Sequence, residues 1–169
     1  MAETDQSALD KMAARVGQKV TAEKAELENA PSKDIITPDF VKRCASYAEK
    51  GDGILHSALL RDRLVYVPEN KTWFHWTGQH WESTHVHRVE ASVDEVGAKY
   101  RELAVHYEKM AREAKDAGDK EQGGRLDAVA EKMRNRASYL NSSRGVNACI
   151  KFTLANEKPL ITKPDVWDS

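Results

Sequence analysis

Cysteine is scarce in this chain: Cys44 and Cys149 stand far apart among 169 residues. A disulfide framework is therefore excluded, and two reduced, buried thiols are expected. No stretch reaches the ~20 apolar residues of a membrane span. The opening Met1-Ala-Glu-Thr-Asp5 lacks the basic-then-apolar pattern of a secretory leader, so a cytoplasmic protein without a membrane partner is expected. The machinery of common catalysts is missing as well. No G-x-x-x-x-G-K-[ST] phosphate loop occurs; Gly123-Gly124-Arg125 lacks the leading glycine spacing and the lysine. There is no Rossmann fingerprint and no serine in a G-x-S-x-G elbow. This chain by itself is thus expected to be no enzyme, with no catalytic residue, cofactor or metal assigned.

Charge of one sign is also lacking, since the net formal charge is -1. The balance hides a gradient. Residues 1–34 and 35–98 each carry -2, residues 99–156 carry +4, and the last thirteen carry -1. Between 132 and 151 stand Lys132, Arg134, Arg136, Arg144 and Lys151 with no acidic residue. Lys132 and Arg136, four apart, share a helical face. This run is the surface feature best suited to a polyanion. The bland alternative pairs these arginines with Glu102, Glu108 or Glu113 of a neighbouring helix. The two readings differ in the triple change Arg134→Glu, Arg136→Glu, Arg144→Glu: loss of DNA affinity at an unchanged melt, or a lowered melt alone.

With 40% hydrophobic and 31% charged residues and a mean hydropathy of -0.68, the chain suits one domain with some of its length left uncovered. Residues 1–34 read as a flexible tail or linker; Leu9, Met12, Val16 and Val20 have helical spacing, weakened by Gly17. A domain spans 35–156. Thr37-Pro38-Asp39 is an N-cap, a proline at the first helical position and a first-turn acid. The helix it opens is expected to run to about Lys50, with Gly51-Asp52-Gly53 separating it from a second helix that ends near Asp62. The period then changes to two. Leu64–Val67, Trp73–Trp76 and Trp81–Ser83 predict a three-stranded antiparallel β-meander at about 63–84, with Trp76 and Trp81 placed to pair across its second turn. One of Trp73 and Phe74, and one of Trp76 and Trp81, is expected to be buried against the helices.

The clearest periodicity follows. Val89, Val93, Val96, Tyr100, Leu103, Tyr107, Met110 and Ala114 alternate spacings of four and three. Gly118 and Gly123-Gly124 bracket a polar break. Leu126, Val129, Met133, Ala137 and Leu140 then form a second stripe, and a last helix runs from about Arg144 to Asn156. Two such helices most simply form an antiparallel hairpin. The fold class is α+β, mostly α: a helical bundle carrying a small antiparallel three-stranded β-meander. Residues 157–169 read as an extended exit segment with no obvious partner.

His75, His80, His85 and His87 crowd into thirteen residues. In a strand His85 and His87 would share a face, but nothing completes a zinc signature, so polar strand and turn positions are the favoured reading. The tryptophans offer either a core layer or a platform for stacking bases, with core favoured.

The succession Arg63-Leu-Val-Tyr66-Val-Pro68-Glu, then Trp73-Phe-His-Trp76-Thr-Gly78-Gln-His-Trp81-Glu, resembles the pre-motor module of phage and plasmid primase-helicases of the poxvirus type. The resemblance covers roughly residues 48–169. It is carried by Tyr66, Trp73, Trp76, Gly78 and Trp81; the family's aspartate before the glycine is replaced by Thr77. It implies a parent protein that unwinds DNA with ATP and magnesium, in a superfamily-three helicase domain following the exit segment, with neighbouring subunits in a hexameric ring. None of that catalysis maps onto residues present here. What it implies for this chain is a non-catalytic role in DNA replication, assisting subunit assembly and DNA engagement beside the motor, in a bacterial host cell. The competing reading is a free-standing helical protein-interaction module that uses the heptad stripe; a small histidine-metal enzyme is weaker.

Overall fold

The computed structural model describes residues 36–156 and 160–161. The expected tail, 1–34, and most of the exit segment lie outside the described residues. Helix α1 spans Pro38–Ser46, opened by the Thr37 hydroxyl, which accepts from the Phe40 amide at 3.2 Å. Helix α2 spans Ala48–Leu60. The break between them falls at Tyr47 and Ala48, where Ala48 takes φ +50°, not at Gly51-Asp52-Gly53. Those three residues lie inside α2 and are buried. Their glycines serve packing rather than a turn. A Cβ on Gly51 would sit 1.8 Å from the Cys44 carbonyl oxygen, and one on Gly53 would sit 2.5 Å from the Phe152 backbone. Every residue of α2 from Gly51 to Leu60 is buried, as befits a helix with neighbours on all sides.

The meander follows as β1 (Leu64–Val67), β2 (Thr72–Trp76) and β3 (Trp81–Thr84), antiparallel in the order β1-β2-β3. Leu64 faces His75 and Tyr66 faces Trp73, while Trp76 faces Trp81. The second turn closes through the Thr77 amide on the His80 carbonyl at 2.9 Å. Gly78 adopts φ +99° there, a region that excludes most other residues. The exit segment does find a partner. The Tyr66 amide donates to the Leu160 carbonyl at 2.7 Å, Ile161 forms a parallel bridge with Tyr66, and Leu160 is buried in the core cluster.

Helix α3 (Val86–Asp116) and helix α4 (Lys120–Tyr139) pair along most of their length, and α5 (Ser143–Ala155) packs on α2. Gly118, at φ +89°, turns the chain between α3 and α4, and Asp119 caps α4 through the Gln122 amide at 2.9 Å. Gly123 and Gly124 belong to α4's first turns rather than to the break. A Cβ on Gly123 would meet the Lys115 side chain at 2.5 Å. The α3 stripe is buried from Val89 to Tyr107, but Met110 is 38% exposed and Ala111 is buried instead. A straight α-helix turns 3.6 residues per turn, so a seven-residue stripe drifts off the seam after three heptads. The architecture is α+β and mostly helical. Among the described residues no helix is long and apolar enough to cross a membrane.

Candidate nucleic-acid interface

The basic run of α4 and α5 divides into inward and outward members. Arg136 turns inward: its guanidinium pairs with Asp52, which is fully buried, and lies 4.7 Å from the Tyr139 ring centroid. Asp52 also accepts from the Tyr100 hydroxyl at 2.9 Å. Burial pushes the Asp52 carboxyl above its usual range, against the opposing pull of Arg136 and Tyr100. The arginine is thus the counter-ion of a carboxylate held between α2, α3 and α4. Arg134 pairs with Glu108 of α3, one of the carboxylates that the alternative reading named.

Lys132, Arg144 and Lys151 are exposed. Lys132 donates to the Ser46 hydroxyl at 3.3 Å, across to α1. Among the described residues, neither Arg144 nor Lys151 has an ion-pair partner. Arg144 lines an open depression of about 490 Å³ with Lys50, Arg136, Tyr139 and Glu49, whose carboxylate accepts from the Tyr139 hydroxyl, beside Ala48 with its positive φ. The structure therefore brings Arg136 and Arg144 to one depression, places Arg134 on the α3 side, and leaves Lys132 beside α1. The triple glutamate change is not a clean test of this surface, because Arg136→Glu would set a carboxylate against buried Asp52.

The aromatic motif also divides. Trp73 is buried, with its ring centroid 5.1 Å from that of Tyr66. Trp76 and Trp81 pair across the hairpin at 5.5 Å, but neither is buried: Trp76 is 40% exposed and Trp81 is half-buried. The reason is the strand period. Trp73 and His75 share the face of Leu64 and Tyr66, so Trp76, three residues from Trp73, falls on the other.

The histidines scatter into separate partnerships. His75 Nε2 accepts from Arg88 at 3.0 Å, His80 contacts Thr77 in its turn, and His87 pairs with Glu90 at 3.0 Å. His85 is the residue before α3 and His87 lies within it, so the alternating-strand geometry does not arise. Among the described residues no three His, Cys, Asp or Glu side chains converge as a metal site.

Sequence reasoning overlooked His56. Its ring is fully buried, 2.9 Å from both Thr153 Oγ1 on α5 and Ser92 Oγ on α3. Burial, aided by the nearby charge of Arg63, pulls its pKa down to about 3. Cys44 and Cys149 are free thiols, both buried, and burial raises their pKa values. Ordinary reactivity of either thiolate is thereby suppressed.

A protein-family model described as "D5 N terminal like" matches residues 53–169. No curated protein and no solved structure matches the chain. The match starts inside α2, although Phe40, Val41, Cys44 and Ala45 of α1 pack into the same core.

Proposed function

The chain belongs to the D5 N-terminal-like family, the N-terminal module of phage and viral primase-helicases, and from that premise we propose that it serves DNA replication as a non-catalytic adaptor beside an ATP-driven helicase motor. It orders neighbouring subunits and meets DNA through the outward charges of α4 and α5, while ATP and magnesium belong to the motor domain. The observation that carries the DNA part is the exposure of Arg144 and Lys151 without an ion-pair partner among the described residues, whereas Arg134 and Arg136 are consumed by Glu108 and Asp52. Exposed cations without partners are free to displace counterions from phosphates.

The competing interaction-module reading needs the heptad stripe to be available. Leu103 and Tyr107 are instead buried within the molecule, so the stripe is spent on the α3–α4 hairpin and its neighbours. Val105, 62% exposed, and Met110 remain on the outside of α3 for a contact between subunits.

The test is titration of the chain with a fluorescent oligonucleotide at increasing salt. Weak binding is expected, on the order of micromolar at low salt and nearly gone at physiological salt. The double change Arg144→Glu, Lys151→Glu is expected to abolish it at an unchanged melting temperature, since neither side chain supports a buried partner. Undiminished affinity in that variant removes these residues from the interface.

A further inference from the structure

A second surface, at the junction of the meander and α3, has the chemistry of a nucleotide pocket. A cleft of about 330 Å³ opens there between Arg63, His75 and Trp76 on one side and Arg88, Ser92 and Glu95 on the other. That volume suits one nucleotide-sized group.

Its polar atoms are unevenly satisfied. Arg63 holds Glu95 with both terminal nitrogens, at 3.1 and 2.5 Å, so the cleft's carboxylate is already neutralised. The Arg63 Nε–H is buried and has no partner. His75 Nε2 accepts from Arg88, which places the ring's proton on Nδ1. That Nδ1–H is also buried and without a partner. Arg88 adds further N–H groups at the rim, where α3 begins with no acidic residue in its first turn. The lining sets Arg63 and Arg88 against Glu95, which Arg63 already holds, while Glu82 stands 3.7 Å from His75 Nε2. The cleft calls for a ligand that brings acceptor oxygens and negative charge.

Trp76 supplies the other half. It ends the central strand, lines the same cleft and is 40% exposed, with its ring also tilted against Trp81 at 5.5 Å. Arginine beside an exposed indole is the combination that grips unpaired nucleotides, through phosphate contact and base stacking. We propose that this cleft binds single-stranded DNA, seating one unpaired base on Trp76 and its phosphate against Arg88 at the rim. A duplex is disfavoured because its bases are already stacked. The assignment of DNA as the polymer rests on the replication reading above; the cleft is a different surface from the α4–α5 charges.

The experiment uses the whole chain and a labelled thymidine dodecamer at low salt, with an abasic strand of equal charge and a uridine dodecamer as comparisons. Trp76→Ala is expected to weaken binding about tenfold, as for the loss of one stacked base. Trp76→Phe is expected to retain most of the affinity, which separates stacking from a folding defect. Arg88→Gln is expected to weaken binding and lower the salt slope by about 0.7. The abasic strand should bind more weakly than the dodecamer and be indifferent to Trp76→Ala.

If Trp76→Ala and Arg88→Gln bind as the parent does while Arg144→Glu, Lys151→Glu loses affinity, the cleft is overturned and the α4–α5 reading stands. If the cleft variants weaken and the α4–α5 variant does not, the cleft stands and the other reading falls. An abasic strand bound as tightly as the dodecamer, a uridine strand bound tenfold more tightly, or no binding by the parent chain each overturns the proposal.

Discussion

At the scale of single residues, His56 shows how a buried polar group ties helices together and sets a dependence on pH. The Ser92 and Thr153 hydroxyls that flank it also donate to the carbonyls of Val89 and Cys149, at 2.6 and 2.8 Å. A neutral ring has one N–H, so one hydroxyl must turn its proton to the other ring nitrogen. A charged ring would satisfy both hydroxyls but has no water around it, and desolvation prevails. The sign of the consequence follows from linkage. Above pH 6.5 the ring is neutral both folded and unfolded; below it the unfolded ring binds a proton that the folded ring refuses until about pH 3. Stability contributed by the neutral site is therefore lost as pH falls through that window, by up to about 1.4 kcal/mol per pH unit. Asp52, whose carboxyl is raised by burial, acts in the opposite sense above its ordinary value. Comparing the parent chain with His56→Gln in urea melts across pH isolates the histidine. The variant is expected to be less stable at pH 7 and to lose the histidine's part of the slope; an unchanged slope would refute the assignment.

At the scale of elements, the parts that were legible are those written in local chemistry. Thr37-Pro38-Asp39 announces α1, period-two runs of aromatic and β-branched residues announce the three strands, and the spacing of valines announces α3. What was not legible depends on neighbours distant in sequence. Gly51-Asp52-Gly53 reads as a helix break because glycine is a poor helix former. It is a helix interior because the Cys44 carbonyl and the Phe152 backbone leave no room for a side chain. Asp52 reads as part of the same break, and its position between two glycines is the one local signal of close packing on both sides. The consequence is testable. Gly51→Ala would raise helix propensity by about 1 kcal/mol, yet it must drive a methyl into a backbone oxygen. Net destabilisation of about 1–3 kcal/mol or more is expected, measured as a lowered denaturation midpoint. A neutral or stabilised variant would return Gly51-Asp52-Gly53 to the role of a simple break. The basic run was legible only as a list of charges; which of its members face inward was fixed by Asp52 and Glu108, on other helices.

At the scale of the whole molecule, α2 sits at the centre, the α3–α4 hairpin and α5 pack around it, and the sheet is joined to Leu160 and Ile161 after α5. Leu160 is 3% exposed, so the segment after α5 contributes to the core as well as to the β1 edge. Leu160→Ala is expected to cost about 2–5 kcal/mol while leaving the helical far-ultraviolet signal at low temperature unchanged. A loss below about 0.5 kcal/mol would mean that the clasp on Tyr66 contributes little. The same clasp determines how the module would respond to tension. Among the described residues, a pull on Ile161 is delivered first to β1, through the Tyr66–Leu160 hydrogen bond, the Ile161 bridge and the buried Leu160 side chain, before it reaches α5. The fastening is slight beside the helical core, so it acts as a mechanical fuse that yields early and leaves the bundle, with its cleft and its outward charges, intact.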